Sequence, residues 1–170
     1  MDLKAKFRHV LGFPKKGVDY IDITTVLQDS AYFKYAIDSM IEMVKELEFD
    51  IIVATESRGF IFGAAIAYQM GKGLVLIRKK GKLPYKTVKE EYQLEYGTDV
   101  MEIHEDALNA GQKALVIDDV LATGGTTEAN IRLVKKLGGE VAGIAYLVEL
   151  AYLNGRERLK GYNVQSVAQF

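Results

Sequence analysis

The densest chemistry in the chain runs from Asp118 to Thr127, which reads Asp-Asp-Val-Leu-Ala-Thr-Gly-Gly-Thr-Thr. Gly124 and Gly125 let backbone amides approach an anion with no side chain in the way, and Thr123, Thr126 and Thr127 add hydroxyl donors. A helical pattern begins at Thr126, so free amides and a dipole of the right sign also face the same spot. A helix terminus alone contributes about 0.3 to 2 kcal/mol, so the amide and hydroxyl hydrogen bonds must do most of the binding of a phosphate there. Asp118 and Asp119 close an apolar run, where two adjacent carboxylates are costly unless ribose hydroxyls or a divalent ion offset their repulsion. A phosphate cup beside an acidic pair suggests a sugar phosphate. The plainer alternative is an ordinary strand-to-helix turn with an exposed acidic pair. The lysine that would follow the glycines of a nucleoside-triphosphate P-loop is missing, so that reading fails.

The flanking pattern says what must hold this segment in place. Ser30 to Glu48 carries Phe33, Ile37, Met40, Ile41, Val44 and Leu47 at a spacing close to 3.6, as in an amphipathic helix. Ile51 to Ala54, Leu74 to Ile77, Ala114 to Val120 and Val141 to Val148 are short apolar runs of the kind buried on both faces of a sheet. Phe60 to Met70 and Thr126 to Leu137 read as helices between them, the first closed by Gly71 and Gly73. Alternation of this kind predicts an α/β fold, an open parallel sheet flanked by helices. Ligands then bind at the carboxyl ends of the strands, which draws in the residues after Ala54 and after Ile77. From Arg78 to Glu102 the pattern breaks down into a charged, Tyr-rich stretch, expected as a long surface excursion and more often functional than decorative at that length.

Composition narrows the classes. A chain of 170 residues suits one domain, and 49% hydrophobic with 26% charged residues is ordinary for a globular protein. With a formal net charge of −1, any anionic ligand needs a local cluster, and binding to nucleic acid or a membrane surface is not expected. The lack of cysteine removes disulfides, thiolate metal sites and a cysteine nucleophile. No apolar core of a signal peptide stands near Met1 and no run of about eighteen apolar residues occurs, so a cytoplasmic location is expected. His9 and His104 have no metal-ligand spacing, and no dedicated metal site is expected.

The run from Val116 to Thr126 closely resembles the phosphoribosyl pyrophosphate motif of the type I phosphoribosyltransferases, in the form found in those that act on adenine. Further blocks resemble the same branch: Phe13 to Val18, Asp22 to Thr24, Glu56 to Gly63, Arg78 to Pro84, Leu94 to Thr98, and Glu149-Leu150. The resemblance implies one phosphoribosyltransferase domain over residues 1–170, with a small N-terminal hood at about 12–27 and a flexible lid loop at about 78–102. It implies transfer of a phosphoribosyl group from phosphoribosyl pyrophosphate to adenine, with magnesium carried in by the pyrophosphate, in a homodimer.

Residue by residue, the resemblance makes Asp118 and Asp119 hold the ribose hydroxyls. It wraps Ala122, Thr123, Gly124, Gly125, Thr126 and Thr127 around the 5-phosphate. Ser57, Arg58 and Gly59 would grip pyrophosphate, with the Glu56-Ser57 bond a candidate for a cis peptide, and Arg78 and Lys82 would counter charge on the leaving group. Without the resemblance, Arg78 and Lys82 read as a solvated basic patch. Glu95, on the lid, would accept the proton shed by the base, and Tyr96 beside it would shape the closed lid. Val18, Asp19, Tyr20 and Ile21 would form the base site, with Tyr20 stacked on the purine.

Two residues depart from the commonest family pattern: Asp19 stands at a usually apolar position and Ile21 at a usually basic one. They leave open a preference for hypoxanthine, guanine or xanthine, although the hood holds no lysine of the kind that would read a ring carbonyl. A non-catalytic sensor of phosphoribosyl pyrophosphate is a further alternative, opposed by the absence of a basic stripe or helix-turn-helix before Ile51.

Overall fold

The computed structural model describes residues 1–13, 15–94 and 97–170. Five strands form the parallel part of a seven-stranded sheet: β3 (Ile51–Thr55), β4 (Gly73–Lys79), β7 (Lys113–Leu121), β8 (Glu140–Glu149) and β9 (Val164–Gln169). The order across the sheet is β5-β6-β4-β3-β7-β8-β9, where β6 (Gly97–His104) runs antiparallel both to β4 and to the outer strand β5 (Thr87–Leu94). A separate hairpin pairs β1 (Arg8–Leu11) with β2 (Asp19–Asp22).

Successive residues of the central strands serve opposite faces, as a pleated strand requires. Ile52, Leu115 and Ile117 join the core beneath α2 (Ser30–Val44) and α3 (Gly59–Met70). Val53 and Val116 join the core beneath α4 (Gly125–Lys136). Both layers being apolar explains why these strands read as unbroken apolar runs. The helix α2 starts where Asp29 accepts the amides of Ala31 and Tyr32, at 3.1 and 3.2 Å. It ends at Val44, earlier than the periodicity suggests, because the Leu47 amide donates to the Val44 carbonyl and the chain turns to bury Phe49.

The stretch from Arg78 to Glu102 differs most from expectation. Apart from its first residues it is the β5–β6 hairpin, eight residue pairs long, laid against α4. Its charges hide the strand pattern because they are used: on β5, Glu90 accepts from Arg132 Nε of α4 at 2.5 Å and also pairs with Lys136. The strand β9 was equally invisible, since Val164 to Gln169 alternates no apolar residue with any regularity.

The chain runs from β3 to β4 on one side and places β7 on the other side of β3. This reversal leaves a crevice at the carboxyl ends of β3 and β7, where a ligand is expected in an open α/β sheet.

Candidate functional site

A cavity of about 510 Å³ fills that crevice. Its walls come from the hood (Val18 to Ile21), the turn after β3 (Glu56, Ser57, Arg58), the end of β7 with its loop (Asp118 to Val120, Ala122, Thr126), Leu150, and the neighbouring Lys79, Tyr92 and Met101. A smaller pocket of about 70 Å³ opens beside it, bounded by Ala122 to Thr127. Residues scattered over the sequence therefore meet at one place, with the phosphate loop as a separate cup at its edge.

The cup is shaped by backbone. Gly124 takes φ 83°, in the left-handed region, and α4 begins at the next residue. Thr123 is exposed and Thr126 half-buried, so both hydroxyls are within reach of a ligand. Thr127 departs from its expected role: it is buried, and its Oγ1 lies 2.6 Å from the hydroxyl of Tyr146 on β8. What residue 127 presents to an anion is its backbone.

The acidic pair splits into two environments. Asp119, 5% exposed, accepts from Arg58 Nε. Asp118 lies at the cavity floor with its Oδ1 accepting the Asp119 amide at 2.8 Å. Its pKa is pushed well above the ordinary aspartate value, first by loss of solvation and then by the neighbouring Asp119 charge. Gly59 is needed at the start of α3, since a Cβ there would stand 2.9 Å from Asp118 Oδ1 and 3.1 Å from the Ile117 carbonyl. Gly59 thus packs the helix against β7 and is absent from the cavity wall, contrary to the expectation that it grips a ligand.

The turn after β3 contains the cis peptide between Glu56 and Ser57 that the resemblance suggested. Ser57 and Arg58 are exposed on the cavity wall, and the Arg58 guanidinium lies 5.9 Å from the Tyr20 ring centroid, linking this turn to the hood. Arg78 is directed elsewhere: Nε and Nη2 donate to the Glu56 carboxylate at 3.3 and 3.1 Å, and Nη1 donates to the Lys82 carbonyl at 3.2 Å. Burial would raise the pKa of Glu56, but the Lys79 amide and Arg78 together overcome that and hold it low. Neither Arg78 nor Lys82 lines the cavity. Lys79 does, paired with Asp99 at 3.2 Å.

In the hood, Tyr20 meets Phe13 edge to face at 5.2 Å, and Ile21 is buried. Asp19 Oδ2 pairs with His9 Nδ1 at 2.8 Å, which accounts for a carboxylate at a position expected to be apolar. Glu95 and Tyr96 lie outside the described residues. Sequence reasoning missed Lys79, Tyr92, Met101 and Leu150. Tyr92, Met101 and Lys79 arrive through the hairpin pairing, which charge had masked, while Lys79 and Leu150 carried an earlier sign, as parts of the Arg78 to Pro84 and Glu149-Leu150 blocks.

Residues 24–168 match the model of a phosphoribosyl transferase domain. An adenine phosphoribosyltransferase of Caldicellulosiruptor saccharolyticus is 71% identical over 170 residues, covering 100% of this chain and 97% of that protein. One from Acetivibrio thermocellus is 64% identical over 171 residues, with full coverage of both. Among solved structures, the adenine phosphoribosyltransferase of Thermoanaerobacter pseudethanolicus superposes with a TM-score of 0.97 at 48% identity, covering 99% of this chain and 98% of the other. The Saccharomyces cerevisiae enzyme, solved with adenine and an imino-altritol bisphosphate, gives 0.90 at 35% identity, covering 96% and 95%.

Proposed function

The chain belongs to the phosphoribosyl transferase family, among its adenine phosphoribosyltransferases, and from that premise we propose how its cavity carries out the transfer. The reaction joins the 5-phosphoribosyl group of phosphoribosyl pyrophosphate to adenine, giving AMP and pyrophosphate. The observation that carries the assignment of roles is the meeting of three unlike surfaces in one crevice: an anion cup, an acidic floor and an aromatic hood.

Ala122 to Thr127 hold the 5-phosphate through amides and the Thr123 and Thr126 hydroxyls. Asp118 and Asp119 take the ribose 2- and 3-hydroxyls as donors. Ser57 and Arg58 bind the pyrophosphate end, and Lys79 is the cation placed to join them. For Arg58 and Lys79 this means exchanging the carboxylates of Asp119 and Asp99 for phosphate oxygens, a like-for-like replacement of one anion by another. Arg78 contributes indirectly, by fixing Glu56 and hence the turn that carries Ser57. The purine lies beneath the hood against Tyr20, with Val18, Ile21, Val120 and Leu150 supplying apolar walls.

With both substrates held, N9 of adenine attacks the anomeric carbon, the bond to the pyrophosphate oxygen breaks, and that oxygen leaves with the electron pair. The proton the ring sheds from N7 passes to Glu95, which returns it in the reverse reaction. Tyr96 shapes the closed lid, and the hairpin keeps water from the activated sugar.

Among the described residues no three His, Cys, Asp or Glu side chains converge as a metal site. The available donors, Asp118 and Asp119 beside the ribose and pyrophosphate subsites, suit a magnesium ion that arrives with the substrate. Bound there, the ion neutralises charge on the departing pyrophosphate. Among the described residues no helix is long and apolar enough to cross a membrane, and a cytoplasmic enzyme is the reading adopted. Assembly is as a homodimer, for which Ile61 and Tyr68 are suited: they stand seven residues apart on one face of α3 and are exposed, Tyr68 at 91%. Light scattering at micromolar concentration checks this.

The test of function is a base panel, with phosphoribosyl pyrophosphate, magnesium and each of adenine, hypoxanthine, guanine and xanthine followed for pyrophosphate release. Adenine alone should turn over, and Glu95→Gln should lower kcat by about 10² to 10⁴. Comparable turnover of another base would overturn the adenine assignment, and an unchanged kcat in the variant would remove Glu95 from the proton transfer.

A further inference from the structure

The turn from Ala151 to Leu159 has no part in the roles above, yet it meets the phosphate loop at Ala122 and Gly124 and the helix after it at Glu128. Two short 3-10 turns, Ala151–Leu153 and Gly155–Leu159, follow β8, and Asn154 between them takes φ 53°, which doubles the chain back under Ala122. Gly155 is buried at the contact. A Cβ on Gly155 would stand 2.3 Å from the Ala122 carbonyl oxygen and 2.9 Å from Leu121 Cδ1. In the other direction, a Cβ on Gly124 would stand 2.6 Å from the Gly155 carbonyl oxygen. The two backbones therefore rest on each other with no room for one methyl group between them. At the far end of the loop, Arg158 Nη1 reaches Glu128 Oε2 in the first turn of α4 at 3.4 Å.

The turn is itself anchored. Arg156 donates from Nε and Nη2 to the two oxygens of Glu149, both at 2.6 Å, and from Nη1 to the Val164 carbonyl at 2.7 Å. Glu149 is 4% exposed and also accepts from Ser166 Oγ at 2.7 Å and Gln169 Nε2 at 3.1 Å. It ends β8 in register with Leu121, which ends β7 immediately before the loop. A bidentate pair on a buried carboxylate thus fixes Gly155 relative to the strand from which the loop departs.

We infer that Gly155 and Arg156 are positioning residues for phosphoribosyl pyrophosphate, acting as a mould that holds the phosphate loop in its anion-binding shape. Neither touches substrate. Amides bind a phosphate tightly only when they already converge, because ordering a loose loop on binding subtracts from affinity. The inference rests on reading Ala122 to Thr127 as the 5-phosphate cup, and its test is chosen to separate the two.

Binding of ribose 5-phosphate is measured by calorimetry beside steady-state kinetics for the parent, Gly155→Ala, Arg156→Lys and Gly143→Ala, with circular dichroism and melting curves to establish folding. Gly155→Ala and Arg156→Lys should each weaken ribose 5-phosphate and raise KM for phosphoribosyl pyrophosphate by about tenfold or more, while KM for adenine at saturating cosubstrate moves by about twofold or less. Gly143→Ala introduces a Cβ 2.7 Å from Leu47 Cδ1 near the opposite end of β8, a contact that a rotation of the Leu47 side chain relieves, and should leave ribose 5-phosphate affinity unaltered. If Gly155→Ala does not fold, Arg156→Lys, which keeps the charge and loses the bidentate fork, decides the question. Parent-like affinity in the folded variants, or an equal loss in Gly143→Ala, overturns the mould while leaving the cup intact. A parent that turns over adenine without binding ribose 5-phosphate overturns the cup, and the mould with it.

Discussion

The two flanks of the cavity are held by different forces. The phosphate loop is held by contact: Gly124 against Gly155, Gly59 against Asp118, and the buried Thr127 to Tyr146 hydrogen bond. The β5–β6 hairpin opposite shares an apolar core with α4, through Tyr92, Met101 and Ile103 beside Ala129 and Leu133, and adds partly exposed ion pairs to it, with Glu90 taken by Arg132 and Lys136 and with Lys136 Nζ donating to the Lys89 carbonyl at 3.0 Å. Steric contact between backbones is short-ranged and unforgiving, whereas pairs with cations 38% and 49% exposed are screened and easily remade. A 5-phosphate presents the same shape throughout a reaction cycle, so a fixed cup suits it. In the function proposed above, a cover that admits one pair of substrates and releases another is better served by contacts that exchange with water.

The largest effect should come from breaking the rigid side at its tightest point. Gly124→Ala would place a side chain at φ 83° and push it into the Gly155 carbonyl. The loop cannot then keep its path, and kcat/KM for phosphoribosyl pyrophosphate should fall by about 10²-fold, as expected for a displacement near 1 Å at a binding anchor. Steady-state kinetics with varied phosphoribosyl pyrophosphate checks this. A loss below about threefold would mean that the cup yields as readily as the hairpin.

A smaller effect of opposite sign is expected at the floor. Asp118 has a raised pKa in the folded protein, so folding favours its protonated form. Stability associated with this group is highest below the ordinary aspartate value of 3.8 and is lost as pH rises through the raised value, leaving the neutral-pH protein to carry an unfavourable charge. Asp118→Asn keeps an oxygen for the Asp119 amide and removes that charge. It should stabilise the protein by about 1 kcal/mol at pH 7, with the gain shrinking as pH is lowered toward 3.8, while weakening ribose 5-phosphate binding. Thermal melts across that range measure it, and a variant less stable than the parent at every pH would show that the carboxylate is compensated in the free protein.

The same contrast decides what the sequence revealed. Asp118 to Thr127 were legible because the chemistry and the backbone requirement fall in one contiguous stretch, the helix α2 because its burial repeats with a fixed period, and the central strands because burial on both faces makes them unbroken apolar runs. Gly155 was not, since its only requirement is a carbonyl on a loop reached through β8 and its turn. The pairing of Arg78 with Glu56 was not legible for the related reason that the two lie on neighbouring strand ends. The hairpin escaped because periodicity methods read charge as solvent exposure, while Glu102 is 2% exposed and Glu90 is enclosed by cations from α4. Thr127 looked available to a ligand because nothing local to it announces Tyr146.

The smallest effect is expected at the hairpin, and its smallness is the point. Glu90→Gln removes the charge that Arg132 and Lys136 share and should cost about 0.5 kcal/mol of stability, within the range of partly exposed ion pairs. The difference between parent and variant should shrink as salt is raised, because at about 1 M the screening length is near 3 Å. It should also vanish in acid: the cations hold the Glu90 pKa below its ordinary value against the opposing effect of burial, so its contribution is full above 4.5 and lost as pH falls through the lowered value. Melting curves at low and high salt, with kcat followed in parallel, test this. A loss above about 2 kcal/mol that salt does not reduce would place the hairpin in the same mechanical class as the phosphate loop, and opening of the cover would then have to occur at residues nearer its tip rather than along the face it shares with α4.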